Sequence, residues 1–473
     1  MHLFKNNYQN NQIIDWQFSH KQLVKIQNRI TIQIEKGNFR QARNLQRLIL
    51  KSLSTRLIAS QKIFEIHNNK KFYLYRNSRK EVFLKTLNIN KYIQLDESLF
   101  NKLSLLNKDF LFYFKLMCVL WIFALLPVNE TLGGSFFYNH RLYRDQNDIL
   151  KALQSILNSK NFQFLLIIKP SGFFNIENQK YIVKKALIEK KFLFFLFKHG
   201  EFEKFPVNYF KYNPYQSKLK TISLLEIIKN FSFYNINLKL KDSIAKLNCL
   251  NNNILSSNLN PIIYYNDLII LPNTNINHLK NIYKLIFKIL KTRGLIIQKD
   301  KIWIINLHQG FNFLGWAIKK SNTQITITIN RNNIKSHQLE IKKFLKYSRF
   351  LPMDRVIIEL NKKIIDWQQC YAYTPKLYRV WAEMNYYLFW RVWRWCKKRH
   401  KNKGSKWIYN RYWKIKESKK WVFHTNNQYL KSYFIKQQPI IHLPASINVC
   451  KMKNFVKVKN ILFQKYFALK KPQ

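Results

Sequence analysis

The chain has few acidic residues, few glycines and no paired cysteines. Its 473 residues include 24 Asp and Glu against 82 Lys and Arg, which gives a formal net charge of +58 at neutral pH. A compact fold tolerates such an excess poorly without a polyanion, so nucleic acid is the expected partner. The alternative is that the bias of an AT-rich genome inflates lysine and thins glycine to 9 residues. That bias does not explain why acidic residues are so scarce.

The five cysteines include no Cys-x-x-Cys pair, which argues against a zinc knuckle and against a disulfide framework. We therefore expect a reducing compartment, no bound metal and no cofactor. A length of 473 residues is enough for two or three domains with their own cores, and a hydrophobic share of 47% with 16% aromatic residues argues against general disorder. The first residues show neither an apolar signal core nor an Arg/Ser-rich presequence. With the compositional bias, this favours an organelle-encoded protein of the plastid (chloroplast), with the mitochondrion as the alternative.

One apolar run resembles a membrane helix by hydropathy. Residues 110–126 are almost wholly apolar, but Lys115 interrupts them and Pro127 follows directly. A helix that ends this early is short for a bilayer. We therefore predict a buried core helix that Pro127 closes, rather than a membrane span, and no membrane partner.

Apolar residues at steps of three and four predict two helices between Lys21 and Ile63, joined by a turn at Gly37-Asn38. The first stripe is Leu23, Ile26, Ile30 and Ile34, and the second is Ala42, Leu45, Ile49 and Leu53. A cationic row, displaced by about 200° from the second stripe, consists of Arg40, Arg43, Arg47 and Lys51. An ordinary solvated face is the alternative, but such faces usually mix charges of both signs. This helix has no acid, so we predict RNA contact.

The middle of the chain has the pattern of a mixed α/β unit. The polar pair Asn266-Asp267 between two apolar runs predicts a β-hairpin over 262–271 with a carboxylate at its tip. Further strands are predicted at 165–169, 301–306, 311–320 and 324–329, and a helix at 278–292. Residues 239–260 are rich in Asn, Leu and Ser without a clear period, so an irregular connection is expected there.

From about residue 336 the pattern becomes helical, with Leu377, Trp381, Met384 and Leu388 at helical steps. Cations at the end of that helix suit both the helix dipole and a phosphate backbone; they are Arg394, Lys397, Lys398 and Arg399. Basic and aromatic residues then alternate along the chain. In this pattern the basic residues can bind phosphates and the aromatic ones can stack on unpaired nucleobases. The predicted RNA-binding residues here are Lys406, Trp407, Arg411, Tyr412 and Trp413. For the aromatic ones the alternative is a small aromatic core.

Several blocks of the chain resemble the reverse transcriptases encoded by group II introns, the maturase family. In the first part they are residues 45–48, 125–130, 167–176, 293–297 and 310–316, together with the hairpin. In the last part, residues 360–373, 390–400 and 406–413 follow the landmarks of the family's thumb and domain X. The resemblance implies an α+β fold with right-hand-like reverse transcriptase fingers and palm, followed by an α-helical thumb and domain X. It also implies a structured group II intron RNA as partner.

The chain departs from the family where polymerases hold two divalent cations. The resemblance places aspartates at the end of a palm strand and at both tip positions, where this chain has Lys169, Asn266 and Asp267. A lysine ammonium would repel such cations instead of ligating them. The family's Pro-Gln-Gly is also missing before residues 223–225. We therefore expect no enzyme activity, no catalytic residue and no metal site, with Asp267 as a vestige.

The expected organisation has four parts. They are a basic helical N-terminal RNA-binding extension (1–80), degenerate reverse transcriptase fingers and palm (81–335), a helical thumb and maturase domain X (336–440) and a basic C-terminal tail (441–473) without an H-N-H endonuclease domain. The leading hypothesis is an RNA-binding maturase that assists group II intron splicing by stabilising the folded ribozyme. A ribosome- or rRNA-associated RNA-binding protein of the organelle is the alternative, and an active reverse transcriptase is the third. The oligomeric state is left open.

Overall fold

The computed structural model describes most of the chain. The described residues are 15–67, 108–135, 137–138, 141–159, 162–200, 205–206, 221–251, 261–264, 268–273, 276–321, 324–372, 374–375, 377–415, 421–425, 428–433 and 442–470. Helices dominate both ends and antiparallel sheets lie between them. The predicted mixture of helix and strand is thereby confirmed, whereas the right-hand arrangement of fingers, palm and thumb stays a prediction.

The helices and strands are numbered in chain order. The helices are α1 Trp16–Glu35, α2 Phe39–Lys51, α3 Leu53–His67, α4 Lys108–Leu132, α5 Gln146–Ser159, α6 Ile176–Lys185, α7 Lys190–His199, α8 Leu224–Lys229, α9 Ile236–Asn251, α10 Ile276–Lys291, α11 Arg331–Tyr347, α12 Met353–Tyr371, α13 Tyr378–Arg399, α14 Ser405–Tyr412 and α15 Phe455–Lys470. The strands are β1 Phe164–Ile168, β2 Phe205–Pro206, β3 Thr221–Ile222, β4 Ile262–Tyr264, β5 Leu268–Asn273, β6 Ile302–Asn306, β7 Phe311–Phe313, β8 Trp316–Ser321, β9 Gln324–Ile329, β10 Trp413–Ile415 and β11 Trp421–Phe423.

The described residues 15–67 contain three helices where two were predicted over 21–63. The turn at Gly37 is confirmed, and its φ of 75° is one that glycine adopts without strain. The predicted second helix is interrupted at Ser52, whose extended backbone ends α2 before α3 begins. Apolar spacing continues across this break, which is why periodicity did not reveal it. All three helices pack against α4.

The long apolar helix α4 continues past Pro127, contrary to the prediction that Pro127 closes it. Because proline has no N–H, the carbonyl of Phe123 one turn earlier has no helical donor. The buried side chain of Gln27 on α1 donates to that carbonyl at 2.8 Å. Gln46 on α2 donates to the following carbonyl at 3.3 Å. The N-terminal helices therefore donate hydrogen bonds to the α4 backbone where the proline interrupts its own hydrogen bonding.

Among the described residues one helical stretch, Phe112–Leu132, is long and apolar enough to cross a membrane by length and composition alone. Within the protein, 94% of its apolar window is buried. Core helices of soluble proteins pass the same test, so this placement agrees with the predicted core helix.

The central sheet has the order β4-β5-β1-β6, and each neighbouring pair is antiparallel. β4 and β5 form the predicted hairpin, in which Tyr264 pairs with Leu268. The predicted tip residues Asn266 and Asp267 lie outside the described residues. The carboxyl end of the central strand β1 lies at the same edge of the sheet as the hairpin connection, because Ile168 pairs next to the start of β5.

Two predictions for the middle of the chain are wrong. The strand expected over 311–320 is a hairpin of β7 and β8. Leu314 and Gly315 both have positive φ, 50° and 95°, which matches the backbone of a tight hairpin turn. The connection expected to be irregular over 239–260 is helical as far as Asn251, where α9 ends.

The strand at 324–329 and its one-sided burial are confirmed in β9. The predicted apolar stripe of α13 is also confirmed, since its members lie in a second core formed with α11 and α12. In that core the indole of Trp316 donates to Thr374 at 2.8 Å. The ring of His337 stacks on Trp367 at 4.7 Å and hydrogen-bonds the Tyr433 hydroxyl at 2.7 Å.

The residues from 442 onward fold back across the molecule. The N–H of Leu443 donates to Asp148 of α5 at 2.6 Å. The amide of Asn448 donates to the hydroxyl of Thr131 on α4 at 3.1 Å. Cys450 is buried in the core that α1 to α4 share. The C-terminal stretch is therefore packed against α4, α5 and the core that α4 shares with the N-terminal helices.

Candidate nucleic-acid interface

The predicted cationic row of α2 is exposed along its whole length. Arg40, Arg43, Arg47 and Lys51 are all exposed. On the opposite side of the helix Ala42, Gln46 and Ile49 are buried, the last two against α4 and the shared core. No acidic side chain lies in α2 to offset the row, so the surface carries positive charge that the helix itself does not balance.

Sequence reasoning missed a second cationic row on α1. Lys21, Lys25 and Arg29 are exposed at steps of four residues. The spacing itself was the available signal, because side chains four apart share one face of a helix.

The cations at the end of α13 divide into two kinds. Arg394, Lys397 and Lys398 are exposed. Arg399 is half-buried, donates to the carbonyl of Leu351 at 2.8 Å and lies 5.1 Å from the ring centre of Trp395. Its side chain therefore joins the end of α13 to the loop between α11 and α12 as well as adding charge.

Trp407 presents an indole between cations. It is 37% exposed, and the guanidinium of Arg411 lies 5.2 Å from its ring while the ammonium of Lys403 lies 5.5 Å from it. Lys406 is exposed beside them. A base that stacked on this indole would have positive charge next to its phosphate.

Tyr412 and Trp413 are buried, unlike Trp407. The prediction that these two side chains contact RNA is therefore corrected. They are 8% and 3% exposed and lie in the second core. The ring of Trp413 contacts Phe423 at 5.0 Å, and the hydroxyl of Tyr412 bonds His400 at 2.6 Å. The aromatic-core alternative describes these two residues. Burial and neighbouring cations lower the pKa of His400.

A row of exposed aromatics on α13 was also missed. Tyr378 is 61% exposed, Tyr386 69%, and Phe389 and Trp390 40% each. Aromatics on an exposed helix face are uncommon in a soluble protein and often mark a contact surface. The signal in the sequence was their spacing, which places them off the stripe of Trp381 and Leu388.

The edge of the central sheet places Lys169 directly after β1. Its side chain is exposed, and its N–H donates to the carbonyl of Lys301 at 3.0 Å. Asn266 and Asp267 lie outside the described residues, so their arrangement with Lys169 stays a prediction. Within the described ranges no group of three or more His, Cys, Asp or Glu is placed to hold a metal ion.

A buried carboxylate fixes the segment between α4 and α5. Glu130 accepts from Arg141 at 2.9 Å and from Arg144 at 3.2 Å, with all three side chains at most 1% exposed. Although burial alone would raise the pKa of Glu130, the two guanidiniums hold it below its ordinary value. Arg144 also donates to the carbonyl of Pro444 at 3.2 Å. Burial lowers the pKa of Arg144 to about 10.

The comparisons with known proteins match two parts of the chain, and each part contains exposed cations. Residues 12–72 match the N-terminal domain of reverse transcriptase, and residues 334–413 match the group II intron, maturase-specific domain. The chain is 24% identical over 383 residues to Maturase-like protein 1 of Euglena gracilis, an alignment that covers 76% of this chain and 77% of that protein. The chain is a group II intron maturase-like protein.

This maturase-like chain is also similar to Ribosomal operon-associated A protein of Euglena gracilis, with 27% identity over 160 residues. That alignment spans only 30% of the relative's length and 30% of this chain. The two family matches contain the two cationic regions, since α1 and α2 lie within the first and α13 and α14 within the second.

Proposed function

We propose that this maturase-like protein binds a structured group II intron and stabilises the folded ribozyme, so that the RNA itself performs splicing. The observation that carries the proposal is the pairing of two exposed cationic surfaces with the two segments that match reverse transcriptase and maturase domains. The N-terminal surface offers cations alone. The surface of α13 and α14 combines cations with exposed aromatics, as a site for unpaired bases does.

Electrostatics would supply most of the affinity. Each phosphate contact releases counterions, so log affinity falls with log salt by about 0.7 per contact on single strands and about 0.9 on duplex. The excess of 82 basic over 24 acidic residues provides the long-range attraction. Stacking on an exposed indole such as Trp407 would add about 1–3 kcal/mol per base.

We further propose that the protein does not polymerise nucleic acid. The support is Lys169, which stands where the family resemblance expects an aspartate and which lies exposed at the end of β1. An ammonium at that strand end does not fit a site for two divalent cations, because like charges repel each other. In this proposal the protein acts by binding RNA.

The second candidate is a ribosome- or rRNA-associated role, and the name of the ribosomal operon-associated relative favours it. Both candidates use the same surfaces and differ in the RNA that these surfaces select. We propose that the protein acts in an organelle, the plastid; the support is that the relatives come from Euglena gracilis and that the composition has an organellar bias.

A splicing assay tests the first candidate. Purified protein is added to an unspliced group II intron transcript from the same organelle, at a Mg²⁺ concentration where the RNA alone splices slowly. Wild type is expected to accelerate exon ligation. A variant with Arg40, Arg43 and Arg47 changed to Gln is expected to lose most of that effect.

The matched control removes the same charge elsewhere, from the exposed row Lys280, Lys284 and Lys288 of α10. Equal loss in both variants would mean that net charge, not the α2 surface, matters. No acceleration by wild type on any intron of the organelle would refute the splicing role. Crosslinking the protein in its organelle and sequencing the attached RNA then distinguishes intron from rRNA.

A further inference from the structure

The C-terminal stretch crosses α1 at the edge of its cationic row. The N–H of Met452 donates to the side chain of Asn28 at 3.1 Å. Asn28 lies three residues after Lys25 in the helix, and side chains three to four apart are neighbours on its surface. Two turns further along α1, Lys451 pairs with Glu35 at 2.5 Å.

Exposed lysines follow this crossing at once. Lys453 is exposed in the turn that leads into α15, and Lys457 and Lys459 are exposed on the helix itself. Val458 between them is 2% exposed, so one side of α15 is packed while its lysines face solvent. Residues 451–470 contain no acid. The stretch therefore brings positive charge to a surface that is already positive.

Buried groups, rather than the ion pair, hold the stretch in place. Glu35 is 38% exposed in its side chain and Lys451 20%, and pairs of this kind contribute little. By contrast Leu443 and Cys450 are 0% and 8% exposed, and Arg144 donates to the carbonyls of Pro444 and Ile447. The position of the lysines relative to α1 is thus set by the folded core.

We propose that α1 and the C-terminal stretch form one composite surface for RNA, to which Lys21, Lys25 and Arg29 come from one end of the chain and Lys453, Lys457 and Lys459 from the other. A single RNA element contacts both ends, and the bound RNA stabilises their association. This inference rests on the proposed RNA binding and adds where one RNA element is held. The N-terminal domain match ends at residue 72 and does not include the C-terminal half of this surface.

Site-specific crosslinking tests the composite surface. A photoreactive amino acid replaces Lys25, Lys457 or, as a control on a different surface, Lys284, and each full-length protein is irradiated on the same intron transcript. Crosslinks from positions 25 and 457 are expected within one helix or loop of the RNA. Crosslinks from 457 that fall in a different RNA domain from those of 25, or none from 457, would overturn the proposal.

Charge removal gives an independent readout. Changing Lys453, Lys457 and Lys459 to Gln is expected to lower the log-log salt slope of binding by about 2, at about 0.7 per lost contact. Because these side chains are exposed, folding should persist, which circular dichroism checks. An unchanged slope would refute the composite surface while leaving RNA binding intact. Failure of wild type to bind any organellar RNA would instead refute the proposed function.

Discussion

Changing Glu130 to Gln is expected to destabilise the protein by about 3–5 kcal/mol, because two buried guanidiniums lose their counter-charge. The Glu130 side chain is 0% exposed and lies 2.9 and 3.2 Å from Arg141 and Arg144. The matched control is Glu383→Gln, which removes a 2.7 Å pair with Arg331 whose side chains are 36% and 65% exposed. Exposed pairs of that kind are worth about 0–1 kcal/mol.

Urea unfolding of both variants measures the difference. Hydrogen exchange should also rise at residues 443–450 in the Glu130 variant, since Arg144 holds that stretch. The pKa of Glu130 is depressed in the folded protein. Its contribution is therefore present above the unfolded pKa and is lost as pH falls through the folded one. A loss below about 1 kcal/mol, equal to the control, would refute the reasoning.

Three further predictions concern the core, the aromatic surface and catalysis. Gln27→Leu leaves one α4 carbonyl without a donor and should cost about 1–3 kcal/mol in urea unfolding, whereas exposed Gln41→Leu should cost almost nothing. Trp407→Ala should weaken RNA binding by about 1–3 kcal/mol per stacked base without unfolding the protein. Trp413→Ala should destabilise the fold by about 3–5 kcal/mol, and equal stability of the two variants would contradict their assigned burial. Primer extension with Mg²⁺ should be absent, and template-directed extension abolished by Asp267→Ala would contradict that.

Periodicity predicted the elements that bury a single face. The hairpin pairing, β9 and α13 follow from buried residues spaced two, three or four apart, and the cationic row of α2 lies opposite such a buried stripe. Periodicity failed where contacts between residues distant in sequence changed what a local segment does. Pro127 stays helical because Gln27, 96 residues away from the carbonyl it serves, supplies the missing donor.

The sequence also did not predict which individual aromatic side chains are exposed. Trp407 and Trp413 have similar sequence neighbours, yet one faces solvent between cations and the other packs on Phe423. The difference arises because α14 ends at Tyr412 and Trp413 begins a strand paired with β11. Composition alone does not contain that pairing. The docking of the C-terminal stretch on α1 depends likewise on contacts more than four hundred residues apart in sequence.

The salt dependence of binding to a structured intron RNA tests the central claim most directly. Wild type and a variant with Arg40, Arg43, Arg47 and Lys51 changed to Gln are titrated between low and physiological salt. A protein that holds RNA through the α2 row should lose about 3 from its log-log slope in the variant, at about 0.7 per phosphate contact. Equal slopes for the two proteins, or wild-type affinity that does not change with salt, would contradict the account.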